Sequence, residues 1–77
     1  MIDKAKYLLA KKNGKVEKLR SDEISKRISV KYSPSDQIAI IMDKDTKPDE
    51  WTAYQEFRAN VKAEVDKELS ALEEETN

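Results

Sequence analysis

After Pro48 the chain runs to Glu75 without a glycine or a further proline, and Trp51, Tyr54, Phe57, Val61, Val65, Leu69 and Leu72 recur at intervals of three or four residues. That spacing predicts one amphipathic helix over about 48–75. Pro48 fits its first turn because the missing N–H would have no partner there, and Thr46 or Lys47 stands at the cap position. At about 1.5 Å per residue such a helix is roughly 42 Å long. A chain of 77 residues makes a single domain, 1–77, with a thin core that does not shelter so long a ridge. The near aromatics, Trp51, Tyr54 and Phe57, are therefore expected in the core. The far residues, Val61, Val65, Leu69 and Leu72, are expected to need a protein partner or a second copy of the chain.

The segments before this helix are shorter. Asn13-Gly14, the latter the only glycine, sits between residues about 5–11 and 15–19 and tolerates the positive φ angles of a two-residue hairpin turn. A β-hairpin over about 5–20 is expected. The competing reading is a helix from Asp3 to Lys12 ended by Asn13 or Gly14, which the abundance of Ala, Leu and Lys favours. Ser21-Asp22-Glu23 offers a cap and first-turn carboxylates for a helix over about 22–32, with Ile24, Ile28 and Tyr32 on one side and a stop before Pro34. Ser35 caps a second short helix over about 35–43. Its run Ile38, Ala39, Ile40, Ile41, Met42 is the most apolar stretch of the chain, so Ile38, Ile40 and Ile41 are placed in the core. The expected fold class is mainly α with a small N-terminal β-hairpin (α+β), two short helices and one long C-terminal helix.

Composition closes off most chemistry. The sequence has no Cys and no His, which removes disulfides, thiolate nucleophiles, imidazole bases and Cys/His zinc sites. Asp43, Asp45, Asp49 and Glu50 gather four carboxylates in a short span. Lys47, Pro48 and Tyr54 stand where a calcium loop needs an acidic ligand, a glycine and a closing Glu, so no metal site is expected. No cofactor is expected either, and the chain is read as a non-enzyme. Residues 1–32 carry ten Lys or Arg against four Asp or Glu, whereas residues 33–77 carry five against twelve. The two halves are expected to pair with each other, within or between chains. A small nucleic-acid-binding regulator using the basic half is the alternative function. The longest apolar patch near the start, Tyr7 to Ala10, is too short for a signal peptide or a membrane span, so a cytoplasmic location and no membrane contact are expected.

Between Lys31 and Leu69 stand a Tyr-Ser pair (Tyr32, Ser33), an Ile-Ala-Ile run (Ile38 to Ile40), a Lys-Pro-Asp-Glu before an aromatic (Lys47 to Trp51), and then Tyr54, Phe57 and Val61. In these features the segment resembles a helical module of small accessory proteins encoded near the tail-fibre genes of phages and prophages of Gram-positive bacteria. Where Leu-Arg commonly follows the Ile-Ala run in that family, this chain has Ile41-Met42. The resemblance implies a structural or assembly role in tail morphogenesis, located in the host cell with the virion as a further destination, and carries over no functional residues. The function expected is thus that of a phage-tail accessory or assembly protein acting through protein–protein contacts of its long helix.

Overall fold

The computed structural model describes residues 1–76. Four helices follow one another: α1 (Lys4–Asn13), α2 (Val16–Lys31), α3 (Pro34–Met42) and α4 (Pro48–Thr76). The expected hairpin is absent, and no strand occurs among the described residues. The fold is therefore all-α rather than α+β.

The reason lies at Gly14. Asp3 opens α1 by accepting the Ala5 N–H at 3.1 Å on its carboxylate, and helix-favouring Ala, Leu and Lys fill the turns that follow. Gly14 then takes φ 68°, with Gly14 N–H bonded to Lys11 O at 3.3 Å and Lys15 N–H to Ala10 O at 2.7 Å. Those two bonds are the Schellman pattern that ends helices. A type I′ hairpin turn needs positive φ at both central residues, yet among the described residues no non-glycine has positive φ, so Asn13 closes the helix and turns no strand. After Gly14 the chain re-enters a helix almost at once, at Val16, well before the expected start near residue 22. Ser21, Asp22 and Glu23 lie inside α2, where Lys18–Asp22 (3.1 Å) and Arg27–Glu23 (3.0 Å) form i,i+4 ion pairs.

α4 is the spine. Its 29 residues span about 43 Å at helical rise, close to the 48 Å long axis of a rod only 18 × 17 Å across. α2 lies antiparallel on it. Tyr32 at the end of α2 meets Tyr54 and Phe57, with ring centroids 5.1 and 5.5 Å apart in edge-to-face geometry, and Arg20 near its start reaches Asp66 at 2.6 Å. The buried core comprises Ile2, Tyr7, Ile24, Ile28, Tyr54, Val61, Val65 and Leu72, with Leu69 half-buried against it. Val65 is fully enclosed.

The distal ridge of α4 is thus covered by its own chain, which corrects the expectation that Val61, Val65, Leu69 and Leu72 form a protein-contact surface. A hairpin over 5–20 is too short to sheathe that ridge. Two helices of 10 and 16 residues, roughly 15 and 24 Å long, run beside it and supply Tyr7, Ile24 and Ile28.

Charge closes the same seam. Arg27 donates to both oxygens of Glu68, at 2.5 and 2.8 Å, while its other N–H groups reach Glu23 at 3.0 Å and Glu64 at 3.2 Å. The Ile2 N–H also donates to Glu68, at 2.8 Å. Arg27 hydrogen bonding, the Ile2 amide and the guanidinium charge outweigh partial burial and hold the Glu68 carboxyl down at about 2, against an ordinary 4.5. The guanidinium is correspondingly raised above its ordinary value by Glu68. The partners of the two groups lie on α2, on α4 and at Ile2, so the cluster is a staple between α2, α4 and the N-terminal segment.

Two outcomes are expected. Leu72→Ala should lower unfolding stability by roughly 2–4 kcal/mol, with a denaturation midpoint independent of protein concentration, because the cavity opens inside one chain. Since the Glu68 pKa is depressed on folding, its stabilisation is complete above the unfolded value and disappears as pH falls through the folded value. The melting temperature should accordingly fall between about pH 5 and pH 2, and Glu68→Gln should flatten that fall while costing roughly 1–3 kcal/mol at neutral pH. Thermal melts of both proteins across that range check the sign.

Candidate interaction surface

α3 is built to be short and fixed. Ser33, held extended before Pro34, accepts the Asp36 N–H on its hydroxyl at 3.1 Å. Pro34 occupies the first helical position and Asp36 the first turn, where the helix dipole favours a carboxylate. At the other end Asp43 O accepts from the Thr46 and Lys47 N–H groups at 3.0 and 2.7 Å, turning the chain into α4.

Gln37 sets the rotation of α3 about its axis. Its amide donates to Tyr32 O at 2.9 Å and its carbonyl accepts from the Tyr54 hydroxyl at 2.7 Å. This directs Gln37 and Ile40 inward, and Ile40 packs half-buried against the core. Helical spacing then carries Ile38 and Met42 away from that face and leaves Ile41, four residues after Gln37, at its edge. Ile38, Ile41 and Met42 are 59%, 46% and 78% exposed.

The sequence reading of the core is corrected here in part. Tyr54 is buried, and Ile40, Trp51 and Phe57 are half-buried against the core as expected, but Ile38 and Ile41 are not core residues. A nine-residue helix with no buried residue of its own, packed on the end of one spine, cannot turn five consecutive apolar side chains inward. The signal was present: the run is apolar on all sides, which needs neighbours on all sides, and the rest of the chain is spent covering α4.

Two surface depressions flank these features. One, about 440 Å³, lies on the far side of α3 from the stripe, with Tyr32, Ala39, Ile40 and Ala53 inside and Lys31, Asp36, Asp43, Lys47 and Glu50 about it. No Ser, Thr, Cys or His lines it. The other, about 330 Å³, is a groove between α1 and α2. Lys6, Leu9, Ala10 and Asn13 face Lys15, Lys18, Leu19 and Asp22 across it, and each set follows the i, i+3, i+4, i+7 spacing of a helix face. The hairpin reading hid this groove, because strand alternation separates Lys6 and Leu9.

The four carboxylates of the 43–50 segment, Asp43, Asp45, Asp49 and Glu50, do not gather. No three His, Cys, Asp or Glu side chains converge as a metal site among the described residues. None of the described helices is long and apolar enough to cross a membrane. The basic half is partly consumed by the acidic half, Arg20 by Asp66, Arg27 by Glu64 and Glu68, and Lys4 by Glu75 at 4.0 Å.

The assignment of faces on α3 has a direct check. Ile38→Ser with Met42→Ser should change the urea unfolding free energy by no more than about 0.5 kcal/mol, since Ile and Ser have similar helix propensity and the sites are exposed. Ile40→Ala, midway between those two sites, should cost about 1–2 kcal/mol.

No protein-family model, curated protein or solved structure matches the chain.

Proposed function

We propose that this protein is a non-enzymatic accessory or assembly protein that works by holding another protein, and that its contact surface is the outward stripe of α3 rather than the ridge of α4. One observation carries the reading. Ile38, Ile41 and Met42 stand in water on a helix whose orientation is fixed by Gln37 and whose two ends are both tied down. Exposed apolar residues at i, i+3 and i+4 on a rigid helix are the form in which a helix docks on a partner. The absence of Cys and His supports a binding role over catalysis. The tail-assembly role implied by the resemblance over Lys31 to Leu69 is the form of this function that we carry forward.

A nucleic-acid-binding regulator remains the alternative, favoured by Lys6, Lys11, Lys12 and Lys15, which make no ion pair among the described residues. A salt-dependent shift of labelled duplex DNA at about 50 mM salt would favour it.

The contact reading is tested by placing a photoreactive residue at Met42, and in a second protein at exposed Lys26 on α2, in cells that make the protein. Illumination should give discrete adducts from position 42 alone, with the attached protein identified by mass spectrometry. A tail structural protein in that adduct supports the assembly role. Equal labelling from both positions, or none from position 42, sinks the α3 contact.

A further inference from the structure

We infer that the outer face of α1 is a contact for an anionic lipid surface, on which the helix lies with Leu8 and Leu9 toward the acyl chains and its lysines among the headgroups. This contact is independent of the α3 stripe, which lies at the opposite end of the rod.

Rotation about the α1 axis sorts its residues. Tyr7 is buried against the seam. At about 100° per residue, Ala5, Leu9 and Lys12 come out roughly 140–160° from it, on the side away from the rest of the protein, with Leu8 beside them. Leu8 and Leu9 are 43% and 61% exposed. Lys11, two turns after Lys4, flanks Leu8 on the side of α4, which Lys4 meets at Glu75. Lys6 flanks Leu9 on the side of α2, where Lys15 faces it across the groove. From Lys4 to Asn13 the helix carries no acidic residue.

This face stays positive once the carboxylates at the same end of the rod are assigned. Asp3 caps α1 at the Ala5 N–H. Asp22 pairs with Lys18 and Glu75 with Lys4, while Asp66 and Glu17 both act on Arg20. Glu74 and Glu73 sit about 100° and 160° round α4 from Glu75, the residue that meets α1, and so turn away from it. Lys6, Lys11, Lys12 and Lys15 make no ion pair among the described residues.

Apolar residues on the crest of a helix with lysines on both flanks match a helix lying in the plane of a bilayer interface, where lysine stems cover apolar surface and their ammonium groups stay at headgroup level. The patch from Tyr7 to Ala10 is too short to cross a bilayer, and no described helix does so, but lying on one needs a single face rather than a span. Duplex DNA would use the same four lysines, yet its phosphates offer nothing to two leucines set between them. A partner helix docks in a concave groove, whereas Leu8 and Leu9 stand on a convex crest. Each lysine near an anionic surface strengthens binding roughly fivefold, so four together give several hundredfold over a neutral surface. With α1 on the lipid, the α3 stripe, tied to the start of α4 through the Gln37–Tyr54 bond, is carried at the far end of a rod 48 Å long.

The test uses the full chain with vesicles of phosphatidylcholine alone or with about 30% phosphatidylserine, at about 50 mM salt. The native chain should sediment with the anionic vesicles, bind the neutral ones at least about tenfold more weakly, and dissociate at about 500 mM salt. Lys11→Gln with Lys12→Gln should weaken anionic binding at least about tenfold. Lys26→Gln with Lys62→Gln removes the same charge from exposed sites on α2 and α4 and should change it less than about twofold. Leu8→Gln with Leu9→Gln keeps helix propensity and should weaken it at least about threefold, with helicity by circular dichroism unchanged. Trp51 is the only tryptophan and lies at the α3 end, so vesicles with brominated acyl chains should leave native emission unquenched and quench the emission added by Leu9→Trp.

No binding to anionic vesicles, equal binding to neutral ones, equal loss in the two lysine pairs, or quenching of Trp51 would overturn the lipid contact. Native-strength binding by Leu8→Gln with Leu9→Gln would do the same, since the leucines then touch no lipid. A native chain that shifts labelled duplex DNA and ignores the vesicles would give the four lysines to nucleic acid instead.

Discussion

The antiparallel packing of α2 on α4 is the contact on which the rest depends. Ile24 and Ile28 from one helix and Val61 and Val65 from the other are all buried, and fully burying such a side chain stabilises by about 1.5–3 kcal/mol each. In a rod 18 × 17 Å across no second layer lies behind this seam. A radius of gyration of 15.0 Å, against about 11.5 Å for a compact chain of this length, reflects the same fact. The protein has one line of core rather than a centre. α2 and α3 are therefore held chiefly by their contacts with the spine, whereas α1 packs on α2 as well as on α4.

Polar groups fix the register that apolar packing leaves loose. A helix can slide along a ridge of similar side chains at small cost, but the fork of Arg27 meets both oxygens of Glu68 in one alignment only. Arg20 does the same with Asp66 on the exposed edge. At the other end, Gln37 joins Tyr32 O to the Tyr54 hydroxyl and so ties α3 to the end of α2 and to α4 together. The charge asymmetry between the two halves of the sequence thus has a structural use. Part of the basic half is spent on carboxylates of α4, and what remains free on α1 and at the start of α2 is the part that faces outward.

How much of this was legible in the sequence depended on whether the deciding information was local. The long helix, the short helix after Pro34 and the burial of Tyr54 followed from periodicity, from proline geometry and from ring size, all of which act within a few residues. Asn13-Gly14 was ambiguous for a physical reason: one positive φ ends a helix and two make a hairpin turn, and the dipeptide permits both. That single choice carried through the molecule. With a hairpin the far ridge of α4 lacks cover and Val61, Val65, Leu69 and Leu72 read as a contact surface; with two helices they are core or half-buried against it, and Ile38 and Ile41, read as core, are left outside. Core membership is a property of what the remaining chain can reach, so an error in one element transferred the apparent interaction surface from one helix to another.

The total of apolar side chains puts a bound on this exchange. Two helices suffice for the flank of α4, and nothing of comparable length is left to fold over α3, whose partner faces are the end of the spine and the Tyr32 corner. Covering Ile38, Ile41 and Met42 within the chain requires a further element, whereas leaving them in water costs little in a helix anchored by Ser33, Gln37 and the Asp43 turn. Ile38 and Met42, at 59% and 78% exposure, contribute little burial to the fold. The Gln37 bonds supply the rigidity and the apolar run supplies the surface, and it is on this face of one small helix that the proposed contact rests.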